Sequence, residues 1–377
     1  MNTMQMEGFF QKDIRFQFSR EEGLLYKTIR DRGRNYFKEN GIAKTANRWF
    51  VIKVYILFVL AAAGFTAVLH TQGILNLFGG YCMLGFSLML LGINVGHDAA
   101  HHALTGNRKI DDNLFRIVFG LQGMSGYVWQ LRHNYSHHIL PNVEQEDTDL
   151  EMGKIIVLEH GSETAWYHKY QHIYAPFLYG IAGMVMLLFK DLEMLLRKKH
   201  GNLTLDKIPT IEYFKFTLAK LSHLSIFIIL PLLYHPDAWK EVLLAYAMMQ
   251  ILVSIFMVFT FVISHHVMEV ARAEVHFGTE VENSWVKHQI TTTIDFDGES
   301  KIANFLFGGF NLHVAHHLFP EVCHIHYPQL TTIIKDTLQE FGHGDWYQSY
   351  SFWEGCRSHL RYLKEVGTGG DTSFAFE

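Results

Sequence analysis

Between Val54 and Gly96 the chain runs for 43 residues without a single Asp, Glu, Lys or Arg. About 20 apolar residues are enough to cross a bilayer as a helix, so this run is too long for one crossing and has to fold back on itself. The polar stretch His70, Thr71, Gln72, Gly73 marks a tight reversal, which predicts helices near 52–69 and 74–95. Such a hairpin returns the chain to the side it left.

A second hairpin is readable downstream. Residues 242–264 form an uncharged span, and the shorter apolar stretch 221–234 reaches membrane length if the preceding turn is added, giving 215–234 with Lys215 and Lys220 snorkelling along it. Residues 174–189 are apolar over only 16 positions, which suits a re-entrant or interfacial helix, and 113–129 shares that ambiguity. Neither is assigned to a crossing. The expected architecture is therefore all-α: four membrane helices in two hairpins, with a helical cap formed by 96–214 and 265–340. A basic segment 1–50 precedes this membrane domain (51–340), and a tail, 341–377, follows it.

Composition agrees with a membrane protein carrying a large polar part: 49% hydrophobic, 14% aromatic, mean hydropathy +0.06. A net charge of −5 argues against a nucleic-acid partner. Three scattered cysteines, Cys82, Cys323 and Cys356, make disulfide frameworks, iron–sulfur clusters and zinc knuckles poor readings. The N-terminus lacks the charged, apolar and small-residue order of a signal peptide, so none is expected. Residues 1–53 hold eleven Lys/Arg against six Asp/Glu, while the reversals at 70–73 and 235–241 are nearly free of cations. The bias of Lys and Arg toward the cytoplasm then puts both termini and the cap on that face.

On the cap side the chain carries three histidine clusters, HDAAHH at 97–102, HNYSHH at 133–138 and HVAHH at 313–317, nine of its 24 histidines. At about 100° per residue His97 and His101 share a helix face with His102 turned aside; His133, His137 and His138 repeat the pattern; His313, His316 and His317 form one stripe. Nine imidazoles exceed what one zinc ion takes and suit two first-row metals, with Fe, Cu, Zn and Ni all compatible. Asp98, Asp147 and Asp149 are placed to ligate or to hold imidazole N–H groups from behind.

These three ordered boxes, with the hydrophobic hairpin between the second and third, resemble those of the integral-membrane fatty acid desaturases, over about residues 40–340. PNVEQEDTD after the second box, HQITTTIDF at 288–296 and HLFPEVCHIHYP running on from the third extend the match. The resemblance implies four membrane helices under a cytoplasmic cap and a di-iron centre. Its box histidines would be His97, His101, His102, His133, His137, His138, His313, His316 and His317, with a further ligand at His265 or, second, His288. It implies O2-dependent removal of two hydrogens from an unactivated CH2–CH2 pair of a long acyl chain held as a CoA or lipid ester, giving a cis double bond in lipid biosynthesis. Such C–H bonds offer no handle to an acid, base or nucleophile, so the oxidant has to come from a metal centre acting on O2.

Two departures bear on the subgroup. The third box begins with His313, where members fused to cytochrome b5 usually carry Gln, and no heme-binding HPGG occurs. Electrons are then expected from a separate ferredoxin or cytochrome b5-type donor, and the third box is closer to the bacterial-type acyl-CoA and acyl-lipid desaturases, some of them linoleoyl-CoA desaturases. That implies a bacterial inner membrane.

Tyr127, Trp129, Trp166 and Tyr167 are candidates either to line an acyl channel or to anchor at the membrane surface. Arg30, Arg32, Arg34 and Lys38 could dock an anionic head group, CoA or an acidic redox partner. A lipid hydroxylase or other oxygenase with the same centre is the nearest alternative. A membrane metal transporter or receptor is more distant, since its histidines would run along the spans and here only His223 lies within one.

Overall fold

The computed structural model describes residues 10–12, 17–143, 146–148, 153–160, 162–200, 203–205, 207–271 and 280–369. The N-terminal segment contributes two short strands, β1 (Phe10–Lys12) and β2 (Gln17–Ser19), then helix α1 (Gly23–Glu39). The first membrane hairpin pairs α2 (Arg48–His70) with α3 (Ile74–Leu91), which runs on through a π-helical turn at Gly92–Gly96 into His97–Ala100. Asn47 starts α2 by accepting from the backbone N–H groups of Trp49 and Phe50. The two helices approach closely because glycines face backbone: a Cβ on Gly64 would lie 2.5 Å from Leu84 N, and one on Gly80 would lie 3.0 Å from Val68 N.

Helices α4 (Arg108–Leu121) and α5 (Gly126–Arg132) follow, α5 continuing into a π-helical turn at His133–His137. Helix α6 (Gln171–Val185) extends through Met186–Lys190 and Asp191–Leu196. After β3 (Lys199–His200) and β4 (Leu203–Leu205), the second hairpin joins α7 (Thr210–Leu224), prolonged to Tyr234, with α8 (Trp239–His265). Beyond it lie β5 (Glu280–Ser284), α9 (Trp285–Thr291), β6 (Asp295–Phe296), α10 (His313–Leu318), α11 (Tyr327–Glu340), β7 (Ser349–Tyr350) and α12 (Phe352–Gly367).

The described residues include five helices long and apolar enough to cross a membrane, against the four expected: Arg48–His70, Ile74–Ala100, His168–Leu196, Thr210–Tyr234 and Pro236–His265. The additional one contains 174–189. Helical residues on both sides extend that short apolar core to 29, something a count of apolar positions alone does not reveal. Segment 113–129 breaks into α4 and α5 and is not among the five. Large apolar side chains such as Tyr55, Phe58, Phe177, Phe214 and Leu233 stay exposed along the long helices, a surface matched to lipid rather than to water.

Strand pairings tie the ends of the chain to the cap. β1 runs antiparallel to β4, β2 parallel to β5, and β6 parallel to β7. Arg30 pairs with Glu321 at 3.0 Å and Arg32 with Glu340 at 2.6 Å, so these two cations bind α1 to the cap instead of standing free. The 341–377 stretch also supplies structure. Tyr350 donates its hydroxyl to the Ile263 carbonyl, and His359 in α12 joins Tyr179 at 2.7 Å to the His266 carbonyl at 2.6 Å.

Candidate metal centre

The ends of α3 and α8, the turn after α5 and helix α10 converge on one buried point. Two groups of four imidazoles form there, His97 with His101, His133 and His316, and His137 with His265, His313 and His317; within each group the ligating nitrogens lie within 4.8 Å of one another. His138 sits between the groups, its ring 4.7 Å from His101, 4.5 Å from His133, 4.6 Å from His316 and 4.7 Å from His317.

Hydrogen bonding among the imidazoles themselves cannot account for this arrangement. The Nε2 atoms of His97, His133, His138 and His316 make successive contacts of 3.2, 3.0 and 2.9 Å. A neutral imidazole nitrogen either donates or accepts, yet His133 Nε2 and His138 Nε2 each meet two neighbours. Lone pairs pointed at one another need a shared cation between them. The same conclusion follows from atoms left alone: His101 Nε2, His265 Nε2, His313 Nδ1 and His317 Nε2 are buried with no hydrogen-bond partner among the described residues.

The opposite edges of several rings are anchored, and this fixes which nitrogen faces inward. His137 Nδ1 lies 3.0 Å from Asp147 Oδ2, His317 Nδ1 2.8 Å from Gln289 Oε1, His265 Nδ1 3.0 Å from the Thr292 carbonyl, and His316 Nδ1 3.1 Å from Tyr327 Oη. Donation from Nδ1 leaves the Nε2 lone pairs of His265 and His317 free for a metal. Burial first, then repulsion from neighbouring imidazoles, holds His101, His133, His138, His313, His316 and His317 well below the ordinary imidazole value. They stay neutral, the form that ligates. The donor set thus fits two imidazole-bound ions.

Not every expected residue arrives. His102 takes a left-handed backbone, φ 59°, and turns its Nε2 to Asp112 at 3.3 Å, outside both groups. His288 packs beside Phe18 with ring centroids 5.5 Å apart and also lies outside them, whereas His265 is a member. Asp98 holds His324 rather than a box histidine, and Asp149 falls outside the described residues. Among the aromatic candidates, Trp129 stacks on His133 at 4.3 Å and Tyr127 is buried, while Trp166 is 78% exposed and Tyr167 donates to the Lys154 carbonyl.

Reasoning on the boxes missed Gln289, Thr292 and Tyr327. The signal for all three was present, since Gln289 and Thr292 lie in the HQITTTIDF match and Tyr327 in HLFPEVCHIHYP. Also unforeseen was Asn142, which grips the Asp147 carboxylate through its backbone N–H at 2.9 Å and the His265 carbonyl through its amide at 2.8 Å. On the outer side a cavity of about 430 Å³ opens onto His101 and His138, with Lys44, Arg108, Asn134 and Glu321 in its walls.

A family model described as fatty acid desaturase matches residues 72–349. The chain belongs to the fatty acid desaturase family. Similar curated proteins include the acyl-lipid (8-3)-desaturase B of Dictyostelium discoideum, 29% identical over 93% of this chain and 77% of that one. The sn-1 linoleoyl-lipid 6-desaturase of Synechocystis is 29% identical over 94% and 98%, and the acyl-lipid (8-3)-desaturase of Physcomitrium patens 29% over 91% and 72%. This desaturase is accordingly a membrane oxidoreductase, and all three boxes and His265 lie within the matched residues.

Proposed function

We propose that this desaturase inserts a cis double bond into the acyl chain of a membrane lipid, close to the carboxyl end, using two irons held by His97, His101, His133, His137, His138, His265, His313, His316 and His317. The two groups of inward-facing imidazoles with His138 between them carry the reading. The names of the lipid-acting relatives support a lipid ester as carrier.

Bound iron supplies the O2-derived oxidant that unactivated C–H bonds require. The protein's part is to keep the site dry and the donors oriented: Trp129 stacks on His133, Phe310 lies 4.5 Å from the His97 ring, and Asp147, Gln289 and the Thr292 carbonyl hold rings from behind. Reducing O2 to two waters takes four electrons, and the acyl chain gives up two with its hydrogens. The other two come from a separate carrier, for which the cavity lined by His101 and His138 offers an opening onto the cluster.

Four helices cross the membrane in this reading, and the helix His168–Leu196 enters and leaves on the face of the metal centre. Its start is tied to α12, through Gln171 donating to the Leu363 carbonyl at 2.7 Å. The second strand after it, β4, pairs with N-terminal β1, while N-terminal β2 pairs with β5 beyond the last span. At its inner end Asp191 accepts from Lys220, ten residues or about 15 Å into α7. The basic N-terminal segment supports a cytoplasmic assignment of this face.

Expression in a host that lacks the product, with mass spectrometry locating any new double bond in each lipid class, tests the reading. The expected result is a new double bond near the carboxyl end of lipid-esterified chains. Labelled oxygen from O2 appearing in the acyl chain would overturn it in favour of hydroxylation. A zinc-only protein that consumes no O2 with reductant present would remove the oxidase chemistry altogether.

A further inference from the structure

Asp98 directly follows His97, yet its carboxylate serves a histidine outside the nine. Oδ2 accepts from the His324 backbone N–H at 3.1 Å and from His324 Nδ1 at 2.8 Å. On the other edge of that ring, Nε2 lies 3.1 Å from Lys53 Nζ. With Nδ1–H given to the carboxylate, Nε2 carries the lone pair and accepts from the ammonium. Lys53, Asp98 and His324 are only 5%, 2% and 3% exposed.

This placement of Lys53 is unusual for its surroundings. It stands five residues into α2, at the edge of the uncharged run, where a lysine can snorkel to the water boundary. Instead it turns inward, its Nζ 4.9 Å from the Phe305 ring centroid. A buried ammonium is tolerated only when paired, and here a neutral imidazole links it to a buried carboxylate. Cys323 joins Asp98 and His324 in a compact set of potential donors. With the ammonium against one ring nitrogen and the other spent on the carboxylate, however, the set is a closed hydrogen-bond chain and not a cation site. It connects segments 271 and 226 residues apart: α2, the first box and the turn after the third box.

We propose that Lys53 and His324 are positioning residues of the desaturase centre. They clamp the first box against the segment leaving the third, and the Lys53 charge offsets Asp98 beside the metals and thereby raises their reduction potential. This rests on the reading that the nine histidines hold two irons. Lys53→Met leaves the Asp98 charge unbalanced, favours the more positive oxidised metals and lowers the midpoint potential. Lys53→Arg keeps the charge. Gln at 324 can donate to Asp98 through its amide N–H and accept from Lys53 through its carbonyl, whereas Leu can do neither.

The test purifies the full chain and the variants K53M, K53R, H324L and H324Q, and measures iron per chain, midpoint potential by spectroelectrochemical titration, and turnover. The expected result is a lowered potential in K53M, about tenfold or greater loss of turnover in K53M and H324L, and near-parental behaviour in K53R and H324Q. An unchanged potential in K53M, or H324Q behaving as H324L does, would overturn the proposal. If K53M and H324L fail to accumulate, K53R and H324Q decide: parental iron and potential support it, and their loss sinks it. A parental chain without iron would instead bring down the di-iron reading itself, whatever the variants do.

Discussion

In the half of the centre built from His137, His265, His313 and His317, three rings are pinned from behind by an oxygen, from Asp147, the Thr292 carbonyl and Gln289 respectively for His137, His265 and His317. In the half built from His97, His101, His133 and His316, the support is mostly aromatic: Trp129 lies against His133 and Phe310 against His97, with Tyr327 Oη reaching His316. The second half also faces the cavity through His101. One half is enclosed; the other, through His101, opens toward the surface. A metal site that must admit an exchangeable reactant keeps such an open side, while one that only holds its ion is enclosed.

Removing a direct donor from either half gives the largest effect. His137→Ala and His316→Ala should each abolish product and lower iron per chain while leaving insertion intact, because insertion depends on the hydrophobic hairpins. Metal analysis of the purified membrane protein, with lipid mass spectrometry, checks both. Full activity in His316→Ala alone would show that the open half is not a metal site.

One step out, the halves should separate. Asp147→Ala removes the carboxylate behind His137 and should cost about 10- to 100-fold in iron affinity or turnover. Tyr327→Phe removes one hydroxyl from a ring that keeps its other packing, and less than about tenfold loss is expected. Iron affinity measured by chelator competition ranks them, and a reversed order would break the distinction between pinned and stacked rings. Gln289→Leu should fall between, at about tenfold, read by the same competition.

The hairpins were legible because lipid forbids charge, so a 43-residue uncharged run admits few other folds. The boxes were legible by their type and order. How each ring points was not, because both box 1 and box 2 adjoin π-helical turns, Gly92–Gly96 and His133–His137. In the second, the His138 N–H bonds the His133 carbonyl five residues back, so an ordinary helical wheel misplaces His138, which the wider turn brings between the two groups. Tyr327, Gln289 and Lys53 act across 11, 28 and 271 residues, separations at which no periodicity operates. The 29-residue helix around 174–189 exceeded expectation because the chain stays helical past the charges at Lys190, Asp191 and Glu193 that end its uncharged run.

The smallest effect is expected at His102, where the wheel and the fold disagree most plainly. Neighbouring His101 reaches the cluster only because the helix ends there: the His102 backbone swings to φ 59° and its ring leaves for Asp112, 3.3 Å away. Asn tolerates a left-handed backbone better than most residues, so His102→Asn keeps the turn while deleting the imidazole. Iron per chain and turnover should stay within about twofold of the parent, the range of a substitution that touches no ligand and opens no cavity. Alanine would confuse the result, because it lacks the side chain that helps Asn and His tolerate a left-handed backbone. Loss of iron in His102→Asn would mean that this ring moves inward when metal binds, and the open half would then be completed by a fifth imidazole rather than left accessible.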